Sequence, residues 1–382
     1  MFCYLDNAAT TKPYNEVCDL MDSLARNCYG NPSSIHSFGL QAERELDQAR
    51  NIISHSLDVK PKEIIFTSSA TESNNLAISG FLNRNPHAGK HIIISSIEHP
   101  SVVEVVEEFE MKGYEIDRIP VNHFGVIDLG KFQSLLREDT ALVSVMLVNN
   151  EMGSIQPVAE IKKIMKSSGC KGVLHVDAVQ AYCKIGFSAK KIGAELITIS
   201  GHKVHGPRGA AALFVKEGIN ISPIILGGMQ EKGLRSGTEN MPAICGFGRA
   251  VELSMNDIKS NFERISEMNR IFYENIDAKT VVSHTDKHCS PYIINISVNG
   301  IRSEVMLHHM ESVGVYVSSG SACTSKKKGK GSGRVLSSLG KSHSEIDSSI
   351  RISFGNFNTL SDVLYAAEQI NFMIKLLRRK DG

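Results

Sequence analysis

The feature that most constrains this chain is an alternation. Between residues 64 and 215, short apolar runs of strand character take turns with helical runs. Strands are expected at 64–67, 91–95, 141–148, 173–180 and 195–199, with helices at 76–82, 102–112 and 157–167 between them. Such an order predicts a mostly parallel sheet with crossover helices. Ligands of such sheets sit just beyond the carboxyl ends of the strands. In this chain those ends are polar: Ser68-Ser69-Ala70-Thr71, Glu98-His99-Pro100, Asn149-Asn150-Glu151, Asp177 to Gln180, and Ser200-Gly201-His202-Lys203. A lysine at that position is placed to meet a ligand.

The rest of the chain reads differently. Residues 1–40 are rich in turn signals, and 41–57 has the apolar spacing of an amphipathic helix (Leu46, Ala49, Ile53, Leu57). The stretch 226–240 is glycine-rich and charged, suited to a loop held against a ligand or a second subunit. A long helical stretch is expected at 242–274. Shorter strands (292–298, 313–317) and helices (303–310, 361–377) follow. This change of pattern places a large domain at 15–256 and a smaller α+β domain at 1–14 and 257–382.

Charge excludes some partners. Lys and Arg number 42 against 41 Asp and Glu, a formal charge of +1, so no global field attracts nucleic acid or an acidic membrane. No 18 apolar residues run uninterrupted, and the N-terminus lacks a basic stretch followed by an apolar one. A cytoplasmic protein with no direct nucleic-acid or membrane partner is expected. None of the eight cysteines forms a C-x-x-C pair, so neither a zinc knuckle nor a dithiol motif is indicated and no metal is expected. Most should be small buried hydrophobes.

The strand-end groups fit one cofactor, pyridoxal 5'-phosphate. Its aldehyde needs a lysine amine, its ring nitrogen a carboxylate, and its phosphate a helix N-terminus with hydroxyls. Lys203, Asp177, and Thr71 with Ser200 would supply these in turn. The rival nicotinamide cofactor lacks a G-x-G-x-x-G after the first strand.

The motifs Tyr4-Leu5-Asp6-Asn7-Ala8-Ala9-Thr10-Thr11, Asn31-Pro32-Ser33-Ser34-Ile35-His36, Thr71-Glu72-Ser73-Asn74-Asn75, Glu98-His99-Pro100, Asn149-Asn150-Glu151, His175-Val176-Asp177-Ala178-Val179-Gln180, Ser200-Gly201-His202-Lys203, Arg235-Ser236-Gly237-Thr238-Glu239-Asn240 and Ser318-Ser319-Gly320-Ser321-Ala322-Cys323 stand in this order. Together they resemble the cysteine desulfurases of the NifS/IscS type, class-V enzymes of pyridoxal-phosphate fold type I. The resemblance implies an aspartate-aminotransferase-like α/β fold, with a mostly parallel seven-stranded sheet in the large domain. It implies that Lys203 bonds the cofactor and that His99 stacks on the ring and assists proton transfers. Asp177 would pair with the ring nitrogen and Gln180 would contact the phenolic oxygen. Ala70, Thr71, Ser200, Gly201 and His202 would form the phosphate cradle, joined by Thr238 from a second subunit of a homodimer. Asn150, also beside the cofactor, and Arg351 would grip the carboxylate of the substrate L-cysteine, and Cys323 would take the sulfur as a persulfide.

Cys323 lies among Ser, Gly and Thr and ahead of four lysines, the composition of an exposed, mobile loop in which positive charge favours thiolate. The chain departs from the family pattern at Ser69, often Gly, and at Asn356, often basic. The lysine-rich 326–330 segment suits an acidic sulfur acceptor or one working near RNA, such as a tRNA-thiolation enzyme. An iron–sulfur scaffold is the competing acceptor. Two other readings are a selenocysteine lyase or related class-V enzyme, and a scaffold that has lost its cofactor, which the intact Lys203 and Asp177 oppose.

Overall fold

A computed structural model of the chain describes residues 2–286, 288–319 and 333–378. Its larger sheet has seven strands in the order Ile64–Thr67, Ala211–Val215, Leu196–Ser200, Val173–Asp177, Thr140–Met146, His91–Ser95, Glu115–Ile119. Every strand runs the same way except Ala211–Val215, which is antiparallel to both neighbours. The expected mostly parallel sheet is therefore present. The exception has a local cause. The chain turns back at Gly206-Pro207 without a crossover helix, and a short return is compatible only with an antiparallel partner.

The central strands are apolar on both faces because both faces are covered. Phe66, Ile93, Val143, Val145, Leu174, Val176, Ile197 and Ile199 join one core, against which the helices Ser37–Leu57 and Met241–Met255 pack. Their strand neighbours Ile65, Ile92, Ile94, Leu142 and Leu196 join the core under helices Ala70–Arg84 and Pro100–Glu110. This period-two division fixes the register, since a one-residue slip would exchange the two sets. Glu115–Ile119 was not legible as a strand. It is an edge strand with charged, partly exposed residues, which break the apolar pattern.

A second sheet of four antiparallel strands has the order Ser318–Ser319, Ser349–Ser353, Ile293–Val298, Val281–Ser283. It packs with helices Ile258–Asn275, Ser303–Ser312 and Leu360–Arg378 around its own core. The N-terminal segment belongs here. Cys3–Tyr4 pairs in parallel with Val315–Tyr316, and Leu5 and Ala8 are buried in this core.

The helical stretch expected at 242–274 is two helices, Met241–Met255 and Ile258–Asn275, interrupted at Asn256-Asp257. Phe247 and Val251 of the first lie in the core of the larger sheet, whereas Ile265, Met268 and Phe272 of the second lie in the core of the smaller. One straight helix cannot bury its stripe in both, and the break redirects it. The helix Asn15–Asn27 was missed, although Val17, Leu20, Met21 and Leu24 carry the i, i+3, i+4, i+7 signal.

Candidate active site

Six strands of the larger sheet end at one edge, and five of them deliver part of the site. After Ile64–Thr67, Ser69 caps the 15-residue helix Ala70–Arg84, its hydroxyl accepting from the Glu72 N–H at 3.2 Å. The departure at Ser69 therefore adds a cap. Glu72 turns back, accepting from the Ser68 N–H at 2.9 Å and from Arg235 Nε at 2.9 Å. Burial pushes its carboxyl up, but the hydrogen bonds from Ser68 and Arg235 outweigh it and hold the group below the usual range. This ion pair pins the glycine-rich 226–240 stretch beside the helix N-terminus, where dipole and N–H groups favour an anion. Thr71 lies in that first turn, as does Ala70, and Thr238 is exposed on the glycine-rich stretch.

Asp177 ends Val173–Asp177 and is buried. One carboxylate oxygen accepts from the Val179 N–H at 3.1 Å, the other from Asn74 Nδ2 at 2.9 Å. Asn74 also donates to Ser101 Oγ at 2.8 Å, and Ser101 Oγ lies 2.8 Å from His99 Nδ1. His99 Nδ1 further accepts from the Ser101 N–H at 3.1 Å, so a neutral His99 carries its proton on Nε2. Burial holds the imidazole below its ordinary value; Asp177 opposes this, and Lys203 and Arg334 reinforce it. Asn74 thus couples the acid to the histidine, a link that sequence spacing does not reveal.

Ser200 ends Leu196–Ser200, and Gly201–Lys203 forms one 3-10 turn. A Cβ on Gly201 would lie 3.0 Å from the Phe247 ring and 3.1 Å from the Ala210 carbonyl oxygen, so this glycine allows close packing beneath the turn. Lys203 Nζ donates to the carbonyl oxygens of Ala8 at 2.5 Å and Ala9 at 2.6 Å. Gln180 Nε2 donates to the same Ala8 oxygen at 2.9 Å. His202 is held down to about 3 by burial, then by Lys203, Arg208 and Lys184. His205, at φ 61°, lies 2.8 Å from the Lys12 carbonyl through Nδ1 and accepts from the Asn356 N–H at 3.1 Å through Nε2. Asn356 also donates to Tyr14 Oη at 2.6 Å, so it closes this wall of the site in place of a basic residue.

Arg351 comes from the smaller sheet and is buried on Ser349–Ser353. It donates from Nη1 to the Asn150 carbonyl at 3.0 Å and from Nη2 to Asp6 at 2.7 Å, while its buried Nε has no partner among the described residues. The Asp6 contact was not anticipated. An unsatisfied buried guanidinium N–H is costly and marks an edge open to an anionic ligand. Past residue 332, Arg334 donates to the Glu98 carbonyl. Burial pushes the Glu98 carboxyl up to about 8, against hydrogen bonds from Ser95 and Met146, and that of Glu151 up to about 7, against Arg351 and Arg334. Cys323 and its lysine-rich neighbours lie outside the described residues.

The buried titratable groups make stability pH-dependent. Burial holds His91, His99, His175, His202, His205 and His284 below the ordinary 6.5, the last four down to about 4, 3, 4 and 4. Their contribution is full above pH 6.5 and is lost as pH falls toward about 4, because the unfolded chain takes up protons that the folded chain refuses. Glu98 and Glu151 work in the opposite direction between pH 8 and 4.5, and the imidazoles outnumber them. The urea midpoint, followed by circular dichroism, is expected to fall from pH 7 to pH 5. A midpoint that holds or rises would contradict this balance.

The class-V aminotransferase family model matches residues 3–365. The chain belongs to that family. This class-V member is 39% identical over 374 residues to cysteine desulfurase IscS 1 of Archaeoglobus fulgidus, covering 97% of this chain and 96% of that relative. A solved NifS-like protein superposes with a TM-score of 0.93 at 34% identity, over 98% of this chain and all of the other. SspA, solved in complex with cysteine, superposes with a TM-score of 0.81 at 30% identity, over 94% of this chain and 100% of that one. The class-V enzyme's cofactor is pyridoxal 5'-phosphate, and the residues present fit it. Ser200 Oγ is buried at the strand end with no hydrogen-bond partner among the described residues, a polar atom that a bound anion would satisfy. The buried Asp177 and the lysine at the end of the next strand complete the fit.

Proposed function

We propose that this enzyme is a cysteine desulfurase, converting L-cysteine to L-alanine and taking the sulfur onto Cys323 as a persulfide. The observation that carries the reading is convergence. Lys203, Asp177, His99 and Ser200 share one sheet edge, and Arg351 reaches that edge from the second sheet through Asn150. The names of the relatives support the same activity.

When bound, the cofactor supplies a sink for the electron pair released at the substrate's Cα. Lys203 would hold the cofactor at its aldehyde and would serve as the base at the substrate's Cα. Asp177 would keep the ring nitrogen protonated, Gln180 would face the phenolic oxygen, and neutral His99 would present its Nε2 proton. Ala70, Thr71, Ser200, Gly201 and His202 would hold its phosphate. Arg351 and Asn150 orient the substrate carboxylate, the guanidinium through its unpartnered edge. The Cys323 thiolate attacks the substrate sulfur, the C–S bond breaks with its electron pair going to the substrate carbon, and protonation there gives alanine. The sum is L-cysteine plus thiol to L-alanine plus persulfide.

Two sheets with separate cores support a large domain at 15–256 and a smaller one at 1–14 and 257–382. A homodimer is supported by Thr238, exposed on a stretch whose Leu226 and Met229 are also 82% and 80% exposed. A protein acceptor then takes the sulfur, an iron–sulfur scaffold or a tRNA-thiolation enzyme. No described helix is long and apolar enough to cross a membrane. The test is the visible spectrum of the purified protein before and after L-cysteine, with alanine and sulfide assayed together in the presence of a thiol reductant. Equimolar alanine and sulfide are expected. Alanine without sulfide, or no visible band after adding the cofactor, would overturn the reading.

A further inference from the structure

Two lysines of the described residues are buried, and they differ in what they meet. Lys162 is paired with Glu195 at 2.7 Å. Lys184 is 6% exposed and has no carboxylate partner among the described residues. Its ammonium donates to Gln180 Oε1 at 3.2 Å and lies 5.8 Å from the centre of the Tyr292 ring. It shares the wall of a small cavity, about 10 Å³, with Lys203, His205 and Tyr292. The charged and titratable groups around it are Lys203, Arg351, His202, His205, Cys183 and Tyr292. An unpaired buried cation is costly, so its retention calls for a use.

We infer that Lys184 is a positioning residue that fixes the side-chain amide of Gln180, turning its N–H group toward the cofactor side of the site. The amide has two ends and two neighbours. Its oxygen meets the Lys184 donor, and its nitrogen meets the Ala8 carbonyl that also accepts from Lys203. A flipped amide would set oxygen against oxygen at Ala8 and donor against donor at Lys184. Both contacts oppose it, so Gln180 offers donors, and only donors, on the side of the Lys203 amine. An N–H there serves an anionic ring oxygen of the cofactor, whereas a carbonyl would repel it. Burial and the neighbouring cations Lys203 and Arg351 bring the Lys184 amine down to about 7; a neutral amine remains a donor, so the contact survives loss of its proton.

The inference rests on the cofactor reading above, and its test separates the two. Pyridoxal 5'-phosphate is titrated into apoprotein carrying Lys184→Met, Gln180→Ala or both, reading the dissociation constant and the position of the visible band. Lys184→Met is expected to weaken binding about fivefold to tenfold, the worth of one hydrogen bond, and to move the band. The double variant should be no worse than Gln180→Ala alone, because the lysine acts through the amide. The Lys184→Met protein should melt no lower than the parent, since a desolvated cation has been removed. A parental band and affinity in Lys184→Met, fully additive effects, or a Lys184→Met protein that does not fold would each overturn the inference. Failure of the unaltered protein to bind the cofactor would instead overturn the reading beneath it.

Discussion

Replacing Lys203 by alanine is expected to leave a folded protein that keeps no visible band through gel filtration and desulfurates L-cysteine at least about 10³-fold more slowly. The fold should survive because the side chain donates to the Ala8 and Ala9 carbonyls at the edge of the sheet and belongs to none of the apolar cores. The catalytic loss is expected to be large because, in the mechanism proposed above, one amine both holds the cofactor and moves the Cα proton. Lys184 is the control built into the site. It lies close by, and burial together with Lys203 and Arg351 brings its amine down to about 7, which makes it a competing nucleophile. Borohydride reduction followed by peptide mapping decides between them. The trapped cofactor should sit on position 203 in the parent protein and on no lysine of the variant. Activity within tenfold of the parent, or a label on position 184 of the parent, would remove the basis of the mechanism.

Replacing Cys323 by serine is expected to abolish protein-bound persulfide and to slow sulfide release by at least about 10³-fold, with the cofactor band unchanged. The other thiols argue for this. Burial pushes Cys3 up to about 12, Cys245 to about 12 and Cys289 to about 11, and it raises Cys28, Cys170 and Cys183 as well. Such thiols are poor nucleophiles at neutral pH. Cys18 is exposed on the helix Asn15–Asn27, and Cys18→Ser should leave persulfide formation intact. Mass spectrometry after brief exposure to L-cysteine locates the extra sulfur. Sulfur on Cys18, or undiminished sulfide from Cys323→Ser, would refute the assignment. If that variant still cleaves selenocysteine, the lyase reading gains ground, because that reaction needs no persulfide.

The groups on the larger sheet were legible because the chain announces them locally. Each apolar run ends in a polar residue, and parallel strands bring such ends to one edge, so Asp177, His99 and Lys203 could be gathered before any contact was known. Arg351 was not legible on that ground. It sits mid-strand in the second sheet, where a structural ion pair is the ordinary reading, and only the resemblance singled it out. The structure gives it both an ion pair with Asp6 and an N–H without a partner among the described residues. Asn74 escaped because its partner depends on tertiary distance: it meets Asp177 across 103 positions of sequence. Lys184 escaped although Gln180 is four positions away, because its burial is set by packing. The antiparallel Ala211–Val215 and the break at Asn256-Asp257 were hidden for another reason. Strand direction and the division of one helical run between two cores are set by packing, and apolar periodicity is blind to both.

The Ala8 carbonyl, which receives both Lys203 and Gln180, has a consequence for how the protein is made. The segment bearing it is held by partners near the far end of the chain: Asp6 by Arg351 across 345 positions, and Asn7 by Asn358 across 351. While the ribosome is still extending the polypeptide, the larger sheet can form, but this acceptor has nothing to anchor it. Contacts of such long separation close late. A nascent or C-terminally shortened chain therefore lacks the anchor for the acceptor that Lys203 and Gln180 share.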